Sequence, residues 1–130
     1  MLPSIKQILL VAMGGALGAS GRLVVTRLAT HVWGERFPWG TLIVNVVGCF
    51  ALGLLLRLGP QSVSDSTKLL VGVGLLGGLT TFSTFGMDTV SRWEQGEWML
   101  GLVNVAANLL IGLLAVAAGI WMGQVFAAKG

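Results

Sequence analysis

Long stretches without a charged residue constrain this chain more than any other feature. No charge occurs for 20 residues between Arg36 and Arg57, for 19 between Lys68 and Asp88, or for 31 between Glu97 and Lys129, and 15 uncharged residues separate Lys6 from Arg22. The hydrocarbon core of a bilayer takes about 20 mostly apolar residues per helix. The spacing therefore predicts an all-α membrane protein with four transmembrane helices, over 4–29, 39–57, 67–90 and 98–125, in a single domain spanning residues 1–130. The predicted connections are short and rich in helix breakers and polar residues: 33–38 (Trp-Gly-Glu-Arg-Phe-Pro), 59–62 (Gly-Pro-Gln-Ser) and 94–97 (Glu-Gln-Gly-Glu). His31 is expected beyond the first span and Asp88 at the end of the third. Lys6, the apolar run after it and Gly18-Ala19-Ser20-Gly21 have the outline of a signal peptide. Three further spans follow, so retention of the first is expected.

Composition excludes whole classes of function. Charged residues make up 10% of the chain against about 25% in a soluble domain, and mean hydropathy is +0.87. Too few charges exist to solubilise a small monomer, so a soluble enzyme and a disordered chain are excluded. The net charge of +3 comes from scattered basic residues and is no nucleic-acid footprint. The single Cys49 rules out an intrachain disulfide. Twenty glycines suit close helix packing in a membrane, and Gly14 and Gly18 form a G-x-x-x-G packing face.

Lys and Arg near span ends normally set orientation. An even span count puts Lys6, Arg57, Lys68 and Lys129 on one side and Arg27, Arg36 and Arg92 on the other, with Arg22 deeper in the first helix. That is no bias. Two readings are open: folding partners rescue a weak signal, or chains insert both ways and pair as an antiparallel homodimer. The second gives eight spans with inverted symmetry, the geometry of inverted-repeat transporters.

Polar side chains inside a bilayer are costly and mark function or packing. The spans hold Ser20, Arg22, Thr26, Thr41, Asn45, Thr80, Thr81, Ser83, Thr84, Asn104 and Asn108, and their interiors hold no Asp, Glu or His. A proton-coupled exporter wants a titratable group there, and a cation channel favours acidic rings. Neutral donors suit an anion, although amides and hydroxyls also accept. Asn45 reads either as interhelical glue or as a donor to a passing ion. Asn104 and Asn108, spaced i,i+4 with Gly112 at i+8, form either a packing stripe or a polar track beside a pore. Arg22 either snorkels to the headgroups or draws anions into a vestibule.

The third span carries Gly77-Gly78-Leu79-Thr80-Thr81-Phe82-Ser83-Thr84-Phe85. A Gly-Gly pair before β-branched threonines is a poor helix centre, which predicts an interruption between Gly77 and Thr80. Carbonyls freed at Gly77 and Thr80 would coordinate a bare cation such as Na+, and two copies at a dimer axis would supply four oxygens. Phe82 and Phe85 share a face once the helix resumes, and read either as lipid- or core-facing aromatics or as rings whose positive edges would assist a small anion.

This nine-residue segment, with Gly40-Thr41, Asn45 and Gly48 in the second span and Gly14, Gly18 and Arg22 in the first, closely resembles the Fluc (CrcB) family of fluoride channels. The resemblance covers the whole chain in length, span count and motif order. It implies a dual-topology antiparallel homodimer in a bacterial plasma membrane, surrounded by lipid, with two fluoride pores and a central structural Na+. It implies that Phe82 and Phe85 contact fluoride, that Asn45 donates beside them, and that Thr80, Ser83 and Thr84 form the break and its polar lining. Backbone carbonyls of Gly77 and Thr80 would hold Na+, and Arg22 would sit near the vestibule. Some members carry a tyrosine and serines on the fourth-span polar face, where this chain has Asn104, Asn108 and Gly112. The implied activity is passive export of fluoride that entered as HF, driven outward at about 2.3 kcal/mol per 100 mV of membrane potential. Two rivals are a small proton-coupled multidrug exporter, disfavoured by the lack of an embedded carboxylate, and a non-transporting assembly protein whose polar groups are glue.

Overall fold

The computed structural model describes residues 2–58 and 63–128, and these are all-helical. Helix α1 runs Ile5–Trp33 and α2 Trp39–Arg57. The third span, Asp65–Glu94, is two helices: α3 over 65–79 and α4 over Phe82–Glu94. Helix α5 runs Trp98–Ala127. Among the described residues, four helical spans are thus long and apolar enough to cross a membrane. The second span matches its predicted bounds, and the other three run past their predicted C-terminal ends. His31 lies in the last turn of α1, and Asp88 lies well inside α4. The predicted connection at 59–62 lies outside the described residues.

Local chemistry sets these limits. Ser4 caps α1 in a reciprocal box: its Oγ accepts from the Gln7 N–H at 3.3 Å, and Gln7 Oε1 accepts from the Ser4 N–H at 2.8 Å. Gly34 closes α1 at φ +77°, a conformation that favours glycine, and Pro38 precedes α2. Gly96, also at φ +77°, makes the turn between α4 and α5. That turn is lashed to the α1–α2 turn by Arg92, which donates to Glu97 Oε2 and to the Glu35 carbonyl, both at 2.8 Å. Stacked Trp93 and Trp98, and the cluster of Trp33, Phe37 and Trp39, gather at this end of the bundle.

Packing is made by glycines. Helix α1 lies against α3, with the Gly14 and Gly18 backbones pressed on the carbonyls of Leu70 and Leu75. The predicted G-x-x-x-G face is this contact. Gly74 and Gly78 return it: a Cβ at either would stand 2.8 Å from the Val11 oxygen or 2.7 Å from the Gly15 oxygen. Helix α2 packs along α5 in the same way, through Gly53 against Val116 and Gly119 against Phe50. Such approaches let dispersion act between backbones where no hydrophobic driving force separates helix from lipid. Most large apolar side chains face outward, as in Leu17, Leu28, Leu110 and Leu113, which suits a lipid surround.

Residues 68–76 of α3 are π-helical, and the Gly77 N–H donates to the carbonyl five residues back, at Gly72. The interruption falls later than predicted. Gly77–Leu79 is still helical, and Thr80 (φ −77°, ψ 157°) and Thr81 (φ −154°, ψ 121°) are extended. The reason lies in the threonines. The Thr81 hydroxyl accepts from the Thr84 N–H at 3.1 Å, making Thr81 the N-cap of a new helix rather than a continuation of the old.

Candidate functional site

The break sits where α2, α3, α4 and α5 meet. There Asn45 of α2 pairs with Thr81 as one strand pairs with another. Its Oδ1 accepts from the Thr81 N–H at 2.8 Å, and its Nδ2 donates to the Thr81 carbonyl at 3.1 Å. The second Nδ2 hydrogen goes to Asn108 Oδ1 at 2.9 Å. A buried backbone amide at membrane depth must be paired, and one side chain supplies both halves.

The carbonyls of residues 77–80 lose their helical partners at the break, and for Gly77 and Thr80 the structure shows where the donor goes instead. The Thr81 N–H, which a continuous helix would give to Gly77, goes to Asn45. The Thr84 N–H, which would go to Thr80, goes to the Thr81 hydroxyl. Thr80 is held separately: its N–H and hydroxyl both donate to the Leu76 carbonyl at 3.0 Å, and its Cγ2 lies against Gly48.

Beyond Asn45 the polar residues continue as a chain. Asn108 Nδ2 donates to the Asn104 carbonyl at 3.0 Å and to Asn104 Oδ1 at 2.9 Å. Asn104 Nδ2 donates to the Thr89 hydroxyl at 2.9 Å, and that hydroxyl donates to the Phe85 carbonyl at 2.8 Å. Asn104 is fully enclosed, at 0% exposure.

A cavity of about 330 Å³ opens beside the break. Its lining includes Asn45, Asn108, Gly77, Thr80, Thr81 and both phenylalanines, with no charged side chain among the described residues. The rings of Phe82 and Phe85 are 5.5 Å apart and tilted by 53°. Phe85 is buried at 9% exposure, whereas Phe82 projects outward at 81%. Ser83 and Thr84 lie exposed on the same turn as Phe82. The structure thus brings Asn45, Asn108, Gly77, Thr80, Phe82 and Phe85 to one cavity. It leaves Asn104 behind them, Ser83 and Thr84 outside the lining, and Arg22 half-buried on α1 away from it.

Sequence reading missed Thr89, which is buried and joins α4 to α5. Its signal was a hydroxyl four residues after Phe85, the spacing from which threonine bonds back to the i−4 carbonyl. It also gave Asp88 no partner, whereas the buried Thr41 hydroxyl donates to Asp88 Oδ2 at 2.7 Å.

Comparison with known proteins places the chain in a family. The family model described as CrcB-like protein, Camphor Resistance (CrcB), matches residues 9–120. A protein of Dehalococcoides mccartyi named fluoride-specific ion channel FluC is 46% identical over 120 residues, covering 91% of this chain and 92% of its own length. Proteins of the same name are 45% identical in Shewanella sp. strain W3-18-1, over 86% of this chain and 91% of theirs, and in Shewanella loihica, over 88% and 93%. With its glycine-packed spans, its broken third span and this agreement along nearly its whole length, the chain belongs to the CrcB family.

Proposed function

We propose that the chain is the subunit of a fluoride channel that exports fluoride passively across a bacterial inner membrane. The observation that carries this reading is the uncharged cavity at the break, flanked by two phenyl rings and built without an acidic residue, in a chain whose relatives are named for fluoride. Fluoride is small and strongly hydrated, so losing its water requires close replacement donors. Both Asn45 hydrogens are already committed within the protomer. In this reading Asn45 holds the break, and donation falls to groups on the exposed turn: the Ser83 and Thr84 hydroxyls and the ring edges of Phe82 and Phe85. The outward Phe82 and the open cavity fit completion of each path by a second, antiparallel copy, giving two pores. Arg22 would then lie near a vestibule.

The Gly77 and Thr80 carbonyls, stripped of their helical partners, fit a structural Na+ shared between two copies. The ion would supply positive charge that offsets their exposed dipoles. The oxygens available are neutral, which suits a weakly charged alkali cation.

Purified protein in liposomes, followed with a fluoride electrode, tests the reading. Fluoride efflux without a proton gradient is expected, with Phe82→Ile and Phe85→Ile strongly reduced. Vesicles as tight as protein-free ones would overturn the channel, and proton-driven cation uptake would favour an exporter. A parallel assembly in cross-linking would overturn the inverted dimer. Unchanged flux and dimer stability after complete replacement of Na+ by an organic cation would remove the ion.

A further inference from the structure

We propose that Asn104 and Asn108 are positioning residues, which act on the anion only by fixing the backbone of Phe85 relative to the third-span break. The inference rests on the fluoride-channel reading, and it assigns the fourth-span asparagines to a hydrogen-bond relay rather than to the pore wall.

The relay has fixed ends. It begins at the Thr81 N–H, which can only donate, and finishes at the Phe85 carbonyl, which can only accept. Between them each group accepts on one side and donates on the other: Asn45, Asn108, Asn104, then Thr89. The two ends therefore dictate every amide orientation. Turning one amide over would set oxygen against oxygen at one contact and N–H against N–H at the next. Aligned chains of this kind also polarise one another.

No uncommitted amide donor along this path faces the cavity. Asn104 is fully enclosed and lies outside the cavity lining. Asn108 borders the cavity, but its Nδ2 is committed twice to Asn104. What the relay does reach is the first turn of α4. Its two ends, Thr81 and Phe85, bracket the segment that carries Phe82, Ser83 and Thr84. The capped turn is thus clamped at both ends, once through Asn45 on α2 and once through Asn104 on α5.

Thr89 makes the test clean, because it is buried at 4% exposure and does not line the cavity. Thr89→Val keeps its shape and removes the hydroxyl. The relay predicts that fluoride flux from liposomes falls about tenfold while the protein still elutes as the wild-type assembly, the scale of one buried hydrogen bond lost. Thr89→Ser, which restores the hydroxyl, should recover most of the flux. A double-mutant cycle between Thr89→Val and Asn45→Leu, which are not in contact, should show less-than-additive losses in both flux and melting temperature. Wild-type flux in Thr89→Val, or strict additivity in the cycle, would overturn the relay. Should the wild-type protein carry no fluoride, the channel reading fails by itself. The melting cycle then decides the relay alone, non-additivity supporting it and additivity refuting it.

Discussion

Replacing Asn45 by aspartate changes one atom and inverts two interactions. The side-chain nitrogen now donates to the Thr81 carbonyl at 3.1 Å and to Asn108 Oδ1 at 2.9 Å. In Asn45→Asp an oxygen stands there, and both contacts become acceptor against acceptor. The bond from the Thr81 N–H survives. Asn108 cannot escape by turning its amide, because its oxygen would then face the Asn104 backbone carbonyl. Each orphaned buried acceptor costs about 1–3 kcal/mol, so the pair costs about 2–6 kcal/mol before any charge is counted. A lone interhelical asparagine contact in a bilayer is worth only about 0.6–2 kcal/mol, so the two accounts separate. In a chain of this size 1 kcal/mol moves Tm by about 4 °C, which puts the loss at about 8–24 °C. The assay is thermal unfolding of the detergent-solubilised protein at neutral pH, paired with fluoride flux. Acidification should return part of the loss, because a protonated carboxyl offers one donor to one of the two acceptors. Melting within about 2 °C of wild type, with no dependence on pH, would refute the claim that Asn45 holds the break.

Gly48→Ala should drive its new Cβ into the Thr80 methyl, lowering stability by about 1–3 kcal/mol and reducing flux. Thr80→Ser removes that methyl and should restore both in the double variant; a silent single variant would refute the contact. Gly18→Ala sets a Cβ against the Leu75 carbonyl and 2.8 Å from the Leu79 backbone nitrogen, so it should destabilise by about 1–3 kcal/mol. Gly21→Ala, three residues on, meets only a leucine methyl at 3.7 Å and should be neutral or stabilising; equal melting of the two would refute the backbone contact.

Charge punctuation made the four spans legible, because a bilayer penalises charge strongly enough for a gap to locate a helix. Gly14 and Gly18 were legible for a related reason: small residues four apart have few uses in a membrane besides close approach. The break was legible in kind but not in place. Gly77 and Gly78 weaken a helix without ending it, and what ends it is a long-range bond, from Thr81 to a side chain 36 residues earlier. Asn45, Asn104 and Asn108 were legible as buried amides. Whether each faced a cavity or a neighbour depends on helix rotation, which a local pattern does not fix. Thr89 was overlooked because its partner, Asn104, comes from another helix.

The π-helical stretch of α3 has a consequence for how this protein tolerates change. Each residue of an α-helix advances the chain by about 100° around the axis. A π-helical residue advances it by less, so removing one residue between Lys68 and Leu76 would be absorbed by a return to ordinary winding and would leave Thr81 aimed at Asn45. The stretch thus works as slack in the winding. A single codon lost there would be taken up by tighter winding, whereas one lost from an ordinary helical stretch would turn everything beyond it by about 100°.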